Sequence, residues 1–525
     1  MQPVDSQSAN EKRDYVWLAL LTSAVSVAAL VFYCGNHAIL LYGDAVAHMN
    51  IARRVFDSRT PGLFQLGTVW LPLPHILDIP FLANRWMWQS GVGGAIPSMV
   101  AYVSGALGIF RLVRAAASRA AAWIAALVFA GNPNLIYLQT TAMTEPLYLA
   151  LFIWIAVYFS EFARLAKDNP GQGRRALEKC AVVLAAAMLV RYDAWFLAGV
   201  VAVAAFAAVW KIRLYAWPVR MGLIRFCLLI GVTAALWLAY NHAAYGNALE
   251  FANGPYSAHA IQQRTRTATM PTYPGENSPR VSAQYFLKTA RLNLGEGSAE
   301  YLLLPVAFIV ALAVFFFARG FWPWVLLWTP VPFYALTMAW GSVPIYQPHW
   351  WPFSYYNVRY GLQLLPAAAV FIALGCYLTA KVLSPKVVTG IAAGLIVISY
   401  VTVWYVVPIC LREARANGQA RMEFDKRLAI ELRKLPSSAS LMMDCGAHSG
   451  AVQLAGIPFR RVLRESNPPL WETALSEPGK SADYVITLEG DNVWRAVRLF
   501  PQGLVLVTTV STPGGPKAFI YHSTR

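Results

Sequence analysis

VWLALLTSAVSVAALVFYCG, residues Val16–Gly35, is a run of twenty residues without a charged side chain. As a helix it would extend about 30 Å, the thickness of the hydrocarbon layer of a bilayer. Comparable runs recur at Gly94–Val113, Ala115–Leu138, Pro146–Leu165, Phe196–Trp210 and Met221–His242. They continue at Leu302–Ala318, Trp322–Trp340, Leu362–Ala380 and Val387–Ile409, with a shorter one at Cys180–Val190. Any one of them could be a buried core helix, but this many could not. The composition agrees: 57% of the 525 residues are hydrophobic and 13% are charged, against about 25% charged in a soluble domain. The expected fold class is an all-α polytopic membrane protein of about eleven spans. The first run lacks a small-residue cleavage site and many spans follow it, so it is expected to be retained rather than removed as a signal peptide.

The net charge of +17 resembles a nucleic-acid signature until its sources are located. Arg111, Arg114 and Arg119 follow the second run, and Arg164, Lys167, Arg174, Arg175 and Lys179 follow the fourth. Lys211, Arg213, Arg220 and Arg225 follow the sixth, Arg319 the eighth, and Lys381 and Lys386 the tenth. If the chain crosses at every run, all these loops share one side, which the positive-inside rule makes the cytoplasm. The expectation is a multi-pass protein of the inner (plasma) membrane, with residues 1–15 cytoplasmic and the C-terminus extracytoplasmic. Nucleic acid is not needed to explain the charge. The six cysteines are scattered and show neither a disulfide framework nor zinc spacing.

The membrane region is expected to span residues 16–410. Outer loops fall at about 36–93, 243–297 and 341–356. From residue 411 the composition shifts to a charged helical stretch, Arg412–Leu435, followed by short strand-like runs at Ser440–Met443, Tyr484–Leu488, Leu504–Val510 and Ala518–Tyr521. Residues 411–525 therefore read as a small extracytoplasmic α/β domain. It holds no phosphate loop or nucleophile elbow, so a structural or recognition role is the preferred reading.

Four features on the outer side could carry chemistry. In YGDAVAHMNIARRVFDSRTPG, opening the first outer loop, Asp44, His48 and Ile51 share one helical face and Arg53 and Arg54 begin another. A lone acid at the end of an apolar run is usually a solvated boundary residue. His48 one turn on and the arginine pair make that reading weaker here. Glu145 stands before Pro146 at the mouth of the fourth span, where the helix dipole alone would favour an acid. Arg191, Tyr192 and Asp193 lie between two apolar runs, with mutual pairing of the two charges as the plain alternative. Arg359, in SYYNVRYGLQLLP, ends the loop before the tenth span. It suits a phosphate, with snorkelling to headgroups as its plain alternative. Together the set offers carboxylates for acid–base work and arginines for an anionic leaving group.

These residues resemble the GT-C superfamily of membrane glycosyltransferases, which includes protein O-mannosyltransferases and aminoarabinose transferases. The resemblance rests on Gly43-Asp44 with the helix after it, QLGTVWLPLPH, MTEPL, RYDAW and NVRYGLQLLP, and covers about residues 10–410. It implies a polyprenyl-phosphate-sugar donor, an inverting displacement onto an extracytoplasmic glycan, lipid or protein, and Asp44 as the first-loop catalytic acid. Glu145 would be the second catalytic carboxylate; His48, Arg53, Arg54, Arg191, Tyr192, Asp193 and Arg359 would bind the donor phosphate or substrate. Many relatives carry two adjacent acids where this chain has Asp44-Ala45. Some use a divalent cation and others do not; His48 and Glu145 could assist one. His75 and Asp78 read as structural. The rival readings are a membrane transporter or lipid-linked-sugar flippase, and a non-catalytic scaffold. No internal repeat supports transport, and side chains of Asp44, Glu145 and Arg359 that stood far apart would favour the scaffold.

Overall fold

The computed structural model describes residues 4–67, 69–211, 217–266 and 271–524. Arg213 of the basic loops and Thr68 of QLGTVWLPLPH lie outside them. Eight helices among the described residues are long and apolar enough to cross a membrane. The first, Val4–Gly35, leaves Val16, Trp17, Leu20, Leu21 and Val31 more than half exposed, a periphery that makes sense only against lipid. The other three expected spans are shorter or interrupted, for local reasons.

The Ala115–Leu138 run is split into Arg119–Ala130, capped by Ser118, and Pro133–Leu138, capped by Asn132. Asn132 accepts from the backbone of Asn134 and Leu135 and donates to the Asn293 carbonyl, tying this break to a distant helix. The Trp322–Trp340 run divides at Thr329-Pro330: a 3-10 segment containing Pro323 precedes the helix Pro330–Trp340. The Cys180–Val190 run is the apolar half of Pro170–Met188, whose polar first turns are capped by Asn169.

The loop between the first two spans is ordered, with helices at Gly43–Arg54, Leu73–Leu82 and Arg85–Ser90. After the last apolar helix, Pro385–Tyr405, the chain re-enters helix at Ile409–Lys434. It ends in a five-stranded sheet of order β2-β1-β3-β5-β4. The strands are β1 Leu441–Met443, β2 Val462–Leu463, β3 Tyr484–Leu488, β4 Leu504–Ser511 and β5 Lys517–Ser523. β1 is parallel to both β2 and β3, whereas β5 runs antiparallel to β3 and β4. The two-residue β2 was too short to show in the sequence.

This C-terminal part rests on the loop between the first two spans through side chains. Asn50 donates to Ser449 (3.0 Å) and accepts from the Trp88 indole (2.8 Å), while Asn467 donates to Ser58 and Thr60. Helix Ile409–Lys434 crosses the chain so closely that a Cβ on Gly418 would meet the Leu41 carbonyl oxygen at 1.8 Å. Only glycine allows that approach.

Candidate functional site

The site forms where five distant segments meet, one of them the helix Ile409–Lys434 with Glu413. Helix Gly43–Arg54 carries Asp44 in its first turn, and Glu145 opens the helix Glu145–Leu165. The turn after Pro170–Met188 brings Arg191 and Asp193, and Arg359 sits in the 3-10 turn Val358–Leu364 that leads into Leu365–Thr379.

Arg359 is the hub. Its Nη2 donates to Asp44 Oδ2 at 2.7 Å, its Nε to Glu145 Oε1 at 3.1 Å and its Nη1 to Glu413 Oε1 at 3.2 Å. Arg191 forms a second layer: Nη1 donates to Glu145 Oε1 (3.0 Å) and Thr144 Oγ1 (3.2 Å), and Nε to Asp193 Oδ2 (3.3 Å). The Tyr334 hydroxyl donates to Asp193 at 2.6 Å and accepts from Arg191 Nη2 at 3.1 Å. The Tyr360 ring lies against both guanidiniums, 4.8 Å from Arg191 and 5.1 Å from Arg359, and Tyr42 lies 5.3 Å from Arg359. Flat aromatic faces hold a guanidinium in its plane while leaving its edge free for acceptors.

The two candidate acids differ in access. The Glu145 side chain is 1% exposed and neutralised by both arginines, whereas that of Asp44 is 42% exposed. One Asp44 oxygen is engaged by Arg359, leaving the other to meet a hydroxyl. Glu145 Oε2 is buried and has no partner among the described residues.

The remaining sequence candidates fall elsewhere. His48 does not reach the carboxylates: its Nδ1 lies 2.8 Å from His75 Nε2 and its ring packs on Trp70. Burial pushes His48 down to about 4, against a smaller upward pull from Asp44 and Glu145. The same cause drives His75 well down and Asp78 well up. Arg53 bonds Asp57 and stacks over Trp88, and Arg54 donates to the Gln65 and Gly67 carbonyls. Both arginines hold the loop between the first two spans in shape and lie outside the hub. Tyr192 accepts from the Trp237 indole and stacks on Phe251, again a packing role.

No group of three or more His, Cys, Asp or Glu side chains that could hold a metal occurs among the described residues. The acids nearest one another, Asp44, Glu145 and Glu413, are bridged by the Arg359 guanidinium.

No family model and no curated protein matches the sequence. Solved structures do. The crystal structure of ArnT from Cupriavidus metallidurans in the apo state superposes with a TM-score of 0.58 at 10% identity, over 98% of each chain. The same protein bound to undecaprenyl phosphate gives 0.55 at 12% identity, over 97% of this chain and 98% of that one. The chain shares the fold of these structures. It is a multi-pass membrane protein, and the hub occupies the meeting point of the loop between its first two spans, three membrane helices and the C-terminal helix.

The sequence missed Glu413, which completes the hub. Its Oε2 accepts from the Tyr42 hydroxyl at 2.8 Å and its Oε1 from the Val358 amide at 3.2 Å. It lay hidden among the charges of a stretch read as a charged helix; its setting after a Pro-Ile-Cys-Leu entry was the one available signal. Tyr334 and Tyr360 were likewise indistinguishable from the other tyrosines of an aromatic-rich chain.

Proposed function

We propose that this protein is an integral-membrane glycosyltransferase that moves a sugar from a polyprenyl-phosphate donor to an extracytoplasmic acceptor hydroxyl. The observation that carries this reading is the convergence on Arg359 of Asp44, Glu145 and Glu413, from segments spread over most of the chain. A scaffold has no reason to hold a half-exposed carboxylate on a buried, polarised guanidinium pair.

In the proposed reaction Asp44 takes the acceptor's hydroxyl proton. The freed oxygen attacks the anomeric carbon from the face opposite the phosphate, and the carbon–phosphate-oxygen bond breaks. The electron pair leaves on the phosphate, so the configuration inverts. Arg359 retains N–H groups beyond the three bonds it makes, and with Arg191 it meets the charge developing on the leaving phosphate. Glu145 and Glu413 are positioning residues that fix the plane of Arg359. On this reading residues 16–410 form the membrane domain and residues 411–525 an extracytoplasmic α/β domain over the site. The membrane is the inner (plasma) membrane and residues 1–15 are cytoplasmic. ArnT, crystallised with undecaprenyl phosphate, supports a lipid-phosphate donor.

The test is purified protein with a labelled polyprenyl-phosphate sugar and a hydroxyl acceptor. Release of lipid phosphate by the native chain, nearly abolished in Asp44→Asn, is the expected result. Undiminished turnover in that variant would remove Asp44 as the base.

A further inference from the structure

The opposite end of the same helices holds a second polar cluster that the proposed reaction does not use. Helices Val92–Arg114 and Glu145–Leu165 both start at the hub end and run away from it. Glu145 and Arg164 are separated by about 28 Å of helix at 1.5 Å per residue. There two cavities, of about 660 and 290 Å³, share Arg111, Ala115, Glu161 and Arg164 on their walls.

The two chambers differ in character. The larger is lined by Arg111, Arg114 and Arg164 together with Glu11, Tyr15 and Trp154. The smaller is walled by Leu112, Val157, Phe321, Trp322 and Trp324, and holds Ser160. Glu161 is spent on Arg111, which it binds at 2.6 Å and 3.0 Å, and the Arg111 guanidinium lies against Trp154 and Tyr158. Arg164 makes a single long bond of 3.5 Å to the Ala115 carbonyl, and Arg114 makes no hydrogen bond or ion pair among the described residues. The Ser160 hydroxyl is buried and unpartnered there. Lys179, 5.7 Å over the Tyr158 ring, adds a further cation nearby.

Basic residues at helix C-termini also answer the helix dipole. That accounts for the placement of Arg111, Arg114 and Arg164, each in the last turn of its helix. It does not account for an arginine-lined chamber opening onto an apolar one with a buried, unsatisfied hydroxyl in its wall.

We propose that these paired chambers bind an anionic phospholipid of the surrounding bilayer. The phosphate lies between Arg114 and Arg164, and an acyl chain lies against Val157, Phe321 and Trp322. A free phosphate would leave the apolar chamber unfilled. The exposed ring of Trp322 in its wall is of the kind that sits at headgroup level, so the lipid is at hand. Basic pockets between membrane helices take lipid phosphates in this way.

The test is native mass spectrometry of the full chain in detergent. It would be titrated with phosphatidylglycerol, with phosphatidylcholine of the same acyl chains, and with phosphatidylglycerol in millimolar inorganic phosphate. The expected result is retention of phosphatidylglycerol over phosphatidylcholine on the order of tenfold, lost in R114Q/R164Q. Trp322→Ala should weaken binding of both lipids while keeping the headgroup preference, which guards against misfolding of the double variant. Equal binding of the two lipids by the native chain would overturn the proposal, as would an unchanged preference in R114Q/R164Q. Complete displacement by inorganic phosphate would assign a bare anion site instead.

Discussion

At one end of helix Glu145–Leu165, Arg359 and Arg191 are buried and engage Asp44, Glu145, Glu413 and Asp193. At the other end, Arg114 and Arg164 face a cavity and have no carboxylate among their described partners. The residue type is the same, and the difference lies in what surrounds it. A buried guanidinium must be compensated, because an unpaired charge away from water costs several kcal/mol. Near the bilayer surface the headgroups and water do that work, so no protein acid is required. The first arrangement gives a rigid, preorganised site, and the second leaves donors free for a ligand from outside.

The comparison breaks most severely at Arg359. Arg359→Ala leaves Glu145 and Glu413, each 1% exposed, without their shared partner. A loss of about 3–5 kcal/mol is expected, seen as a large drop in the detergent melting temperature, with no detectable transfer. Asp44→Asn should separate chemistry from stability. Turnover is expected to fall by roughly 10²–10⁴, while melting stays close to native because the side chain is half open.

Glu413 sharpens the contrast between filling and charging a buried site. Glu413→Ala leaves the Val358 amide and Arg359 Nη1 without their acceptor, while the Tyr42 hydroxyl keeps the Cys410 carbonyl, at a cost of about 1–3 kcal/mol. Glu413→Gln keeps an oxygen for them and should recover most of the stability but not the turnover, as parallel melting and transfer assays would show.

A pH scan probes the neutral pair beside the hub. The unfolded chain protonates His48 below its ordinary 6.5, whereas in the folded protein it stays neutral down to about 4. Its contribution is therefore fully present above pH 6.5 and lost as the pH falls toward 4. His75 is shifted the same way by the same burial. Melting temperatures from pH 7 to 4.5 should fall, with a shallower slope in His48→Gln; equal slopes would remove His48 from the account. The smallest effect on turnover is expected at Arg53→Ala. Losing the Asp57 ion pair, the ring contacts with Phe56 and Trp88 and the bonds to the Leu82 and Ala83 carbonyls should cost about 1–3 kcal/mol of stability and leave turnover unchanged.

Much of this was legible from the chain. Apolar runs such as Val16–Gly35 and Leu362–Ala380 announce themselves, because lipid demands some twenty residues without charge. Asp44, Glu145, Arg191, Asp193 and Arg359 stood out because ionisable residues at the ends of such runs are costly without a purpose. Within the loop between the first two spans, charge alone could not sort function from support. Arg53, Arg54 and His48 have the same chemistry as hub residues, yet they face Trp88, the Gln65 carbonyl and His75.

The sequence by itself determined that the chain crosses a membrane repeatedly, which residues are chemically able to act, and that a mixed helix and strand region follows. These follow from local composition and period, which neighbouring residues settle among themselves. Tertiary structure alone decided that Arg359 gathers three acids and that Glu413 is one of them. It also decided that the arginines after the second and fourth spans line one cavity. Each of those facts depends on separations of tens to hundreds of residues being closed by helix packing, and a Gly418 lying on the Leu41 carbonyl is the kind of contact that closes them.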